Sequence, residues 1–304
     1  MIYKSYLAPI DEYSDFAFRL LCQRHGADAT CIPLVNSMAI VQGKLSRVDA
    51  KEKEKNLGVQ IVGNDPKIIG KACEIINMEK PFLSWFNLNC GCPSSRTMDS
   101  GGGSAMLAHP EKIYQAVTEM KKKVDKPVSV KIRIKNNRDQ TIKLCKELAK
   151  ADVDSIIIHG RTPMQGYSGK ADWDIVRSVK SRIDVPVIGN GDIISKSQGD
   201  LYVMDGYCDS FMVGRAVMSN PMLFSDKKPE SFEQKMKLLN EYVEIHRKYS
   251  EPSVKHVRSK AVNFLSGVDW AAKLRNGLSR AKSVVEILTM IEKQAEENPG
   301  SIKK

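Results

Sequence analysis

Eight short apolar, β-branched runs recur along the first two thirds of the chain, at 6–8, 29–32, 58–62, 83–89, 128–134, 155–159, 185–190 and 210–214. Each is bounded by Gly, Pro, Asn or Asp, and each is nearly continuous in apolar residues, as strands covered on both faces are. Amphipathic helical patterns at 15–24, 66–76, 110–122, 141–150 and 173–179 separate most of them. Such alternation predicts parallel strands with crossover helices. Eight repeats predict an α/β fold, a closed (β/α)8 TIM barrel. An open doubly wound sheet is the competing arrangement, but no G-x-G-x-x-G follows the first strand. The second interval is irregular and carries the charged stretch Lys51-Glu52-Lys53-Glu54-Lys55. After Pro221-Met222-Leu223-Phe224 the strand signal stops, and 231–250, 252–266 and 271–298 read as helices, with Pro252 and Gly267 at the breaks. Three or four such helices form a small bundle. The polar stretch 225–229 divides the two patterns, so a barrel over 1–228 and an all-α domain over 229–304 are expected.

Charge and cysteine usage narrow the function classes. The 304 residues carry a net charge of +11, and residues 231–304 hold 14 Lys/Arg against 9 Asp/Glu. A basic surface favours polyanions, nucleic acid among them, although a solvated lysine-rich surface accounts for the charge equally well on its own. No apolar run reaches the length of a membrane span, and Met1-Ile2-Tyr3-Lys4-Ser5 lacks the apolar core of a signal peptide. The seven cysteines include no C-x-x-C pair and no zinc-knuckle spacing. A reduced, cytoplasmic protein without a structural metal is expected, and nothing points to an obligate protein partner.

Barrel enzymes place their chemistry at the carboxyl ends of the strands, and polar residues collect there. Gln60 lies in the third strand, Asn89 ends the fourth, and Lys131 interrupts the apolar fifth. His159 ends the sixth strand, Asn190-Gly191-Asp192 follows the seventh, and Gly214-Arg215 follows the eighth. Singly, each has an ordinary explanation: a core histidine, a turn, a surface arginine. A lysine inside a barrel strand does not, because an unpartnered buried ammonium is costly. The glycines of the last two loops would let backbone N–H groups approach a phosphate, and Arg215 would add a charged fork. Lys131 and His159 would face a polar ring, with Gln60 and Asn89 at its edges. Flavin mononucleotide, FMN, matches this set; a phosphosugar matches only its phosphate end. Asn89-Cys90-Gly91-Cys92-Pro93 then presents a thiol on a loop above the cavity. A buried cysteine beside a turn is the plainer alternative.

The ordered motifs resemble those of the tRNA-dihydrouridine synthase family. They run from Leu7-Ala8-Pro9 through Asp15-Phe16-Ala17-Phe18-Arg19, Gln60-Ile61-Val62-Gly63, the Asn89–Pro93 stretch and Val130-Lys131-Ile132-Arg133. His159-Gly160-Arg161-Thr162, Tyr167-Ser168-Gly169-Lys170-Ala171-Asp172-Trp173, Gly189-Asn190-Gly191-Asp192-Ile193 and Gly214-Arg215 complete the set. The resemblance implies an FMN-bound barrel with a helical tRNA-binding domain, and NADPH-dependent reduction of the uridine C5=C6 bond in tRNA; no nucleotide fingerprint separates NADPH from NADH. It assigns Cys92 as the acid that protonates C5, with Asn89 beside the flavin and the target base. It places Pro9, Gln60, Lys131, His159, Asn190, Gly191, Asp192, Gly214 and Arg215 at the flavin, and leaves Lys131 and His159 to govern flavin or substrate electronics. A thiol suits the acid role because it is mostly protonated at neutral pH. The target uridine must be unstacked to reach a flavin, which suits recognition by shape and phosphate contacts. Arg96, Arg161, His256, Arg258, Lys260 and Arg275 are the candidate RNA contacts. The chain departs from the family's usual pattern at Ile10, at Pro33-Leu34, at Ile134-Lys135 and at Met222. Two other functions compete: an FMN barrel reducing a free pyrimidine, as dihydroorotate dehydrogenases do, and a non-catalytic tRNA-binding protein. The basic tail argues against the first, and the intact Cys92 against the second.

Overall fold

A computed structural model describes residues 3–298. Met1 and Ile2, inspected above for a leader, and 299–304, the end of the expected helical domain, lie outside the described residues. The strands are β1 (Ser5–Leu7), β2 (Thr30–Asn36), β3 (Leu57–Val62), β4 (Trp85–Cys90), β5 (Val128–Arg133), β6 (Ser155–His159), β7 (Val187–Asn190) and β8 (Ser210–Val213). All pair in parallel, and β1 lies beside β8. The last seam closes through Tyr6 and Ala29, with Leu7 N–H donating to Ala29 O at 2.9 Å and Ala29 N–H to Ser5 O at 3.1 Å. The sheet is therefore the expected TIM-type barrel.

Strand periodicity puts alternate side chains on opposite faces, and this decides where the site lies. In β5, Val128, Val130 and Ile132 pack outward with the helices, so Ser129, Lys131 and Arg133 turn toward the axis. The barrel interior is layered. Its lower part is apolar, filled by Tyr6, Ala29, Cys31, Trp85, Ile157, Ile188 and Met212. Trp85 fits there because Gly58 leaves room: a Cβ on Gly58 would lie 2.2 Å from the indole. The upper part is polar and opens at the carboxyl ends of the strands.

Several elements differ from the periodicity. β2 continues past residue 32 to Asn36, with its register broken between Ile32 and Val35. Pro33 has no N–H to give to the ladder, so the strand bulges there and resumes. Asn36 then caps the short helix Ser37–Val41 by accepting from Ala39 N–H at 3.0 Å. A helix at Lys196–Met204 has weak apolar periodicity and went unmarked in the sequence. The charged second interval is ordered by a buried pair, Arg19 Nε to Glu54 Oε2 at 2.6 Å, both under 2% exposed at their side chains.

Among the described residues the tail forms four helices, Phe232–Arg247, Val254–Phe264, Ala271–Leu278 and Val284–Glu297. The expected stretch 271–298 divides at Ser283, whose hydroxyl accepts from Glu286 N–H at 3.1 Å and starts the last helix. A polar seam fastens the tail to the first helix of the barrel, Phe16–Arg24. Asp15 caps that helix by accepting from Phe18 N–H at 2.9 Å, and its other oxygen accepts from the Tyr242 hydroxyl at 2.6 Å. Lys260 donates to Tyr13 O at 2.7 Å and lies 3.4 Å from Asp15.

Candidate active site

The carboxyl ends of the strands surround a cavity of about 560 Å³, within the usual range of small-molecule and cofactor sites. Pro9, Gln60, Asn89, Cys92, Lys131, His159, Asn190, Gly191, Asp192, Gly214 and Arg215 all line it. The sequence thus marked residues from seven strand ends that the fold gathers in one place.

One wall is a ladder of amides. Asn87 Nδ2 donates to Ser129 Oγ at 2.8 Å, Gln60 Nε2 to Asn87 Oδ1 at 2.7 Å, and Asn89 Nδ2 to Gln60 Oε1 at 2.7 Å. With each amide oxygen and nitrogen assigned by its neighbour, the ladder fixes the orientation of Asn89. Asn89 Oδ1 then accepts from Gly91 N–H at 3.1 Å and Cys92 N–H at 2.9 Å. A rigid strand residue therefore sets the cysteine loop. Asn87 and Ser129 belong to this device and were not singled out in the sequence, although their positions two residues from Asn89 and Lys131 carry the signal.

The two neighbouring thiols separate cleanly. Cys90 points out of the barrel into the helical layer, fully buried, and burial pushes its thiol up. Cys92, two residues on, is half-buried on the cavity rim, while the other six cysteines are buried. Only Cys92 is placed to meet a ligand.

The opposite wall is cationic. Lys131 Nζ donates to Asn190 Oδ1 at 3.0 Å, and Asn190 Nδ2 donates to Met212 O at 2.8 Å. Burial first and Arg133 second lower the Lys131 ammonium to about 7. His159 is lowered to about 2 by burial and by Lys131, Arg133, Arg161 and Arg215, which favours the neutral imidazole. Arg133, two residues from Lys131, staples two loops: Nε donates to Gly91 O at 3.0 Å, and Nη1 to Thr162 O at 3.0 Å and Gly166 O at 2.8 Å. Its alternation with Lys131 was the available signal for this role. Tyr167 lies between two guanidiniums, 4.4 Å from Arg215 and 5.7 Å from Arg133 to its ring centre. Asp192 supplies the carboxylate of this wall and bridges Arg161 at 2.7 Å and Arg215 at 3.1 Å. Burial alone would raise Asp192; the Ala171 N–H and Arg161 reverse that and hold it low. Arg133 is bound by carbonyls alone and Lys131 by an amide oxygen, so the wall favours an anionic or electron-rich ligand.

The candidate RNA contacts separate by exposure. Arg96, on the cysteine loop, and Arg275, in the tail, are exposed. Arg161 and Lys260 are buried. Arg161 is 2% exposed and binds Asp192 and the Ser168 and Gly169 carbonyls, and Lys260 is 0% exposed in the seam. His256 is half-buried, 3.4 Å from Asp15, and Arg258 donates to Ala281 O at 2.8 Å. Charge counts along a helix do not reveal which basic residues turn inward.

Among the described residues, no helix is long and apolar enough to cross a membrane, and no group of three or more His, Cys, Asp or Glu could hold a metal. A family model described as "Dihydrouridine synthase (Dus)" matches residues 6–299. The probable tRNA-dihydrouridine synthase of Aquifex aeolicus is 31% identical over 303 residues, covering 95% of this chain and 95% of the relative. The tRNA-dihydrouridine synthase B of Pasteurella multocida is 34% identical over 231 residues, covering 72% and 67%. Among solved structures, TcOYE with pHBA shares the fold at a TM-score of 0.53 and 11% identity, covering 86% of this chain and 94% of that one. With a match that spans both the barrel and the tail, this chain belongs to the dihydrouridine synthase family and is an oxidoreductase.

Proposed function

We propose that this protein reduces the C5=C6 bond of uridine in tRNA, using FMN reduced by NADPH or NADH, with Cys92 as the acid that protonates C5. The single observation that carries this reading is the placement of Cys92: the one half-exposed thiol, held by Asn89 on the rim of a cationic cavity at the barrel mouth. The curated relatives named above as tRNA-dihydrouridine synthases support the choice of substrate.

The residues present fit a flavin. Gly214 faces open space, where an added Cβ would meet only Ala8 Cβ at 3.9 Å, so the backbone there can approach a phosphate closely. Arg215 lies beside it. Lys131 would hold positive charge against the electron-rich edge of the ring, and Gln60 and Asn89 present amides to its polar edge. When bound, FMN supplies the hydride that adds to uracil C6.

The protein's own work is positional. Asn89 sets the loop that brings the Cys92 thiol to the rim, and the thiol gives its proton to C5. His159, kept neutral, donates or accepts a hydrogen bond without adding charge. Arg133 ties the cysteine loop to the loop after β6, so both move as one. For the RNA, we assign residues 229–304 as the domain that holds it. A second cavity of about 720 Å³ shares Ile194 with the first and runs along the barrel–tail junction, where Lys227, Lys228 and Lys237 stand among Asp226, Glu230 and Glu241. Phosphate contacts there would position the strand while the target base enters the mouth.

The test is Cys92→Ala. Flavin content and tRNA affinity should be retained while dihydrouridine formation falls by about 10²-fold or more, measured by nucleoside analysis of tRNA after single turnover. Undiminished product would remove Cys92 as the acid.

A further inference from the structure

Cys92 is one corner of a closed triangle. Its Sγ lies 3.3 Å from Ser94 Oγ and 3.6 Å from Thr97 Oγ1, and Ser94 Oγ donates to Thr97 Oγ1 at 2.9 Å. The three sit on one turn, because Thr97 N–H donates to Ser94 O at 3.0 Å. The loop that follows closes over them. Ser104 N–H donates to Cys92 O at 2.9 Å, and a Cβ on Gly103 would lie 2.7 Å from Thr97 Cγ2 and 3.2 Å from Cys92 Cβ. Thr97 is therefore wedged in place, 8% exposed, with its hydroxyl on the sulfur; Ser94 is exposed. A purely packing role at position 97 would need the methyl and would gain nothing from burying a hydroxyl, which is costly without a partner.

We propose that Ser94 and Thr97 are positioning residues that hold the Cys92 sulfur and return its proton. This rests on the reading of Cys92 as the acid. As the S–H bond breaks and a C–H bond forms at C5, the sulfur becomes a thiolate. The Ser94 and Thr97 hydroxyls turn to donate to it. Ser94 then passes its proton to sulfur and takes one from water, which leaves as hydroxide into the buffered solvent, so S–H and O–H are both restored and the net donor is solvent. No oxidant or further reactant enters this step. Thr97 fixes the geometry and Ser94 provides the path to solvent.

The experiment uses the full-length flavoprotein and two readouts. Iodoacetamide at pH 8 should label Cys92 in a single fast phase, since the other six thiols are at most 2% exposed; Cys92→Ala should remove that phase. Thr97→Val, which keeps the shape but loses the hydroxyl, should slow labelling by about tenfold to a hundredfold, the scale of a hydrogen bond to a charged group. Thr97→Ser should restore it. A packing role would give the reverse order, Val tolerated and Ser impaired. In turnover with tRNA, Thr97→Val and Ser94→Ala should lower kcat by a similar factor with KM for tRNA unchanged. If Cys92→Ala is inactive while Thr97→Val and Ser94→Ala label and turn over like the unaltered chain, the triad is overturned and the acid stands. If Cys92→Ala keeps its turnover, the acid role fails and the proton return fails with it.

Discussion

Two of the lysines that this fold encloses have opposite surroundings. At the seam between barrel and tail, Lys260 meets the Asp15 carboxylate and the Tyr13 carbonyl, and Tyr13, Phe18 and Tyr242 face it at 3.8, 5.3 and 5.2 Å. At the barrel mouth, Lys131 has the Asn190 amide oxygen and no carboxylate, with Arg133 adding repulsion. The first is a compensated charge that fastens two parts of the chain. The second is an uncompensated charge held where a ligand can complete it. Burial lowers both ammoniums, but only the one at the mouth faces an open cavity. A buried cation becomes a functional feature when its missing partner is a ligand.

Stability should break the comparison most visibly. Removing one partner of a buried pair costs about 3–5 kcal/mol. Asp15→Ala should lose that much in chemical denaturation, because it strands Lys260, frees the Tyr242 hydroxyl and uncaps a helix. Burial would raise Asp15, but Lys260, Tyr242 and the Phe18 N–H hold it below its ordinary value. Its contribution is thus present above the ordinary carboxylate range and is lost as pH falls through the lowered value. Lys131→Met should do the opposite, leaving the flavin-free barrel equally stable or more so. Lys131 falls from 10.5 to about 7 on folding, so the penalty of its charge is full below about pH 7 and is relieved as pH rises toward 10.5. The gain from Lys131→Met should therefore be larger at pH 6 than at pH 9. A loss of stability comparable to that of Asp15→Ala would equate the two lysines and end the distinction.

A smaller effect tests the ligand side. If an electron-rich ring edge completes Lys131, binding raises the ammonium and draws in a proton. Flavin titration of the apoprotein at pH 8, in two buffers of different ionisation enthalpy, should show uptake approaching one proton, against almost none at pH 5.5. Lys131→Met should abolish the uptake. Equal uptake in that variant would assign the proton to another group.

The two regions also show what a sequence can and cannot disclose. The strands were legible because burial on both faces leaves continuous apolar runs, and the mouth was legible because polar residues recur at strand ends. Lys131 stood out by interrupting Val128–Arg133. The seam was not legible: Asp15 and Lys260 are 245 positions apart, and Arg19 finds Glu54 across 35. No local pattern records such pairings, so Lys260 looked like any basic residue on a helix. Cys90 and Cys92 would share a face if the strand ran on, but β4 ends at Cys90, and the loop held by Asn89 carries Cys92 to the cavity instead.

That division of cations yields the smallest and most specific expectation, in RNA binding. Exposed phosphate contacts release counterions on binding, and each adds a little under one to the slope of log affinity against log salt concentration. Arg96 and Arg275 are exposed, whereas Lys260 is sealed in the seam. Arg96→Ala and Arg275→Ala should each flatten the salt slope for tRNA by about one or less and weaken binding uniformly across tRNA sequences, measured by filter binding between low and moderate salt. Lys260→Met should leave the slope unchanged even where it lowers the stability of the protein, because a charge that already faces Asp15 and three aromatic rings has no counterion to release. A flattened slope for Lys260→Met in protein that is fully folded at the assay temperature would mean that the seam opens to RNA, and the contrast between a structural and a functional buried lysine would fail at its structural end.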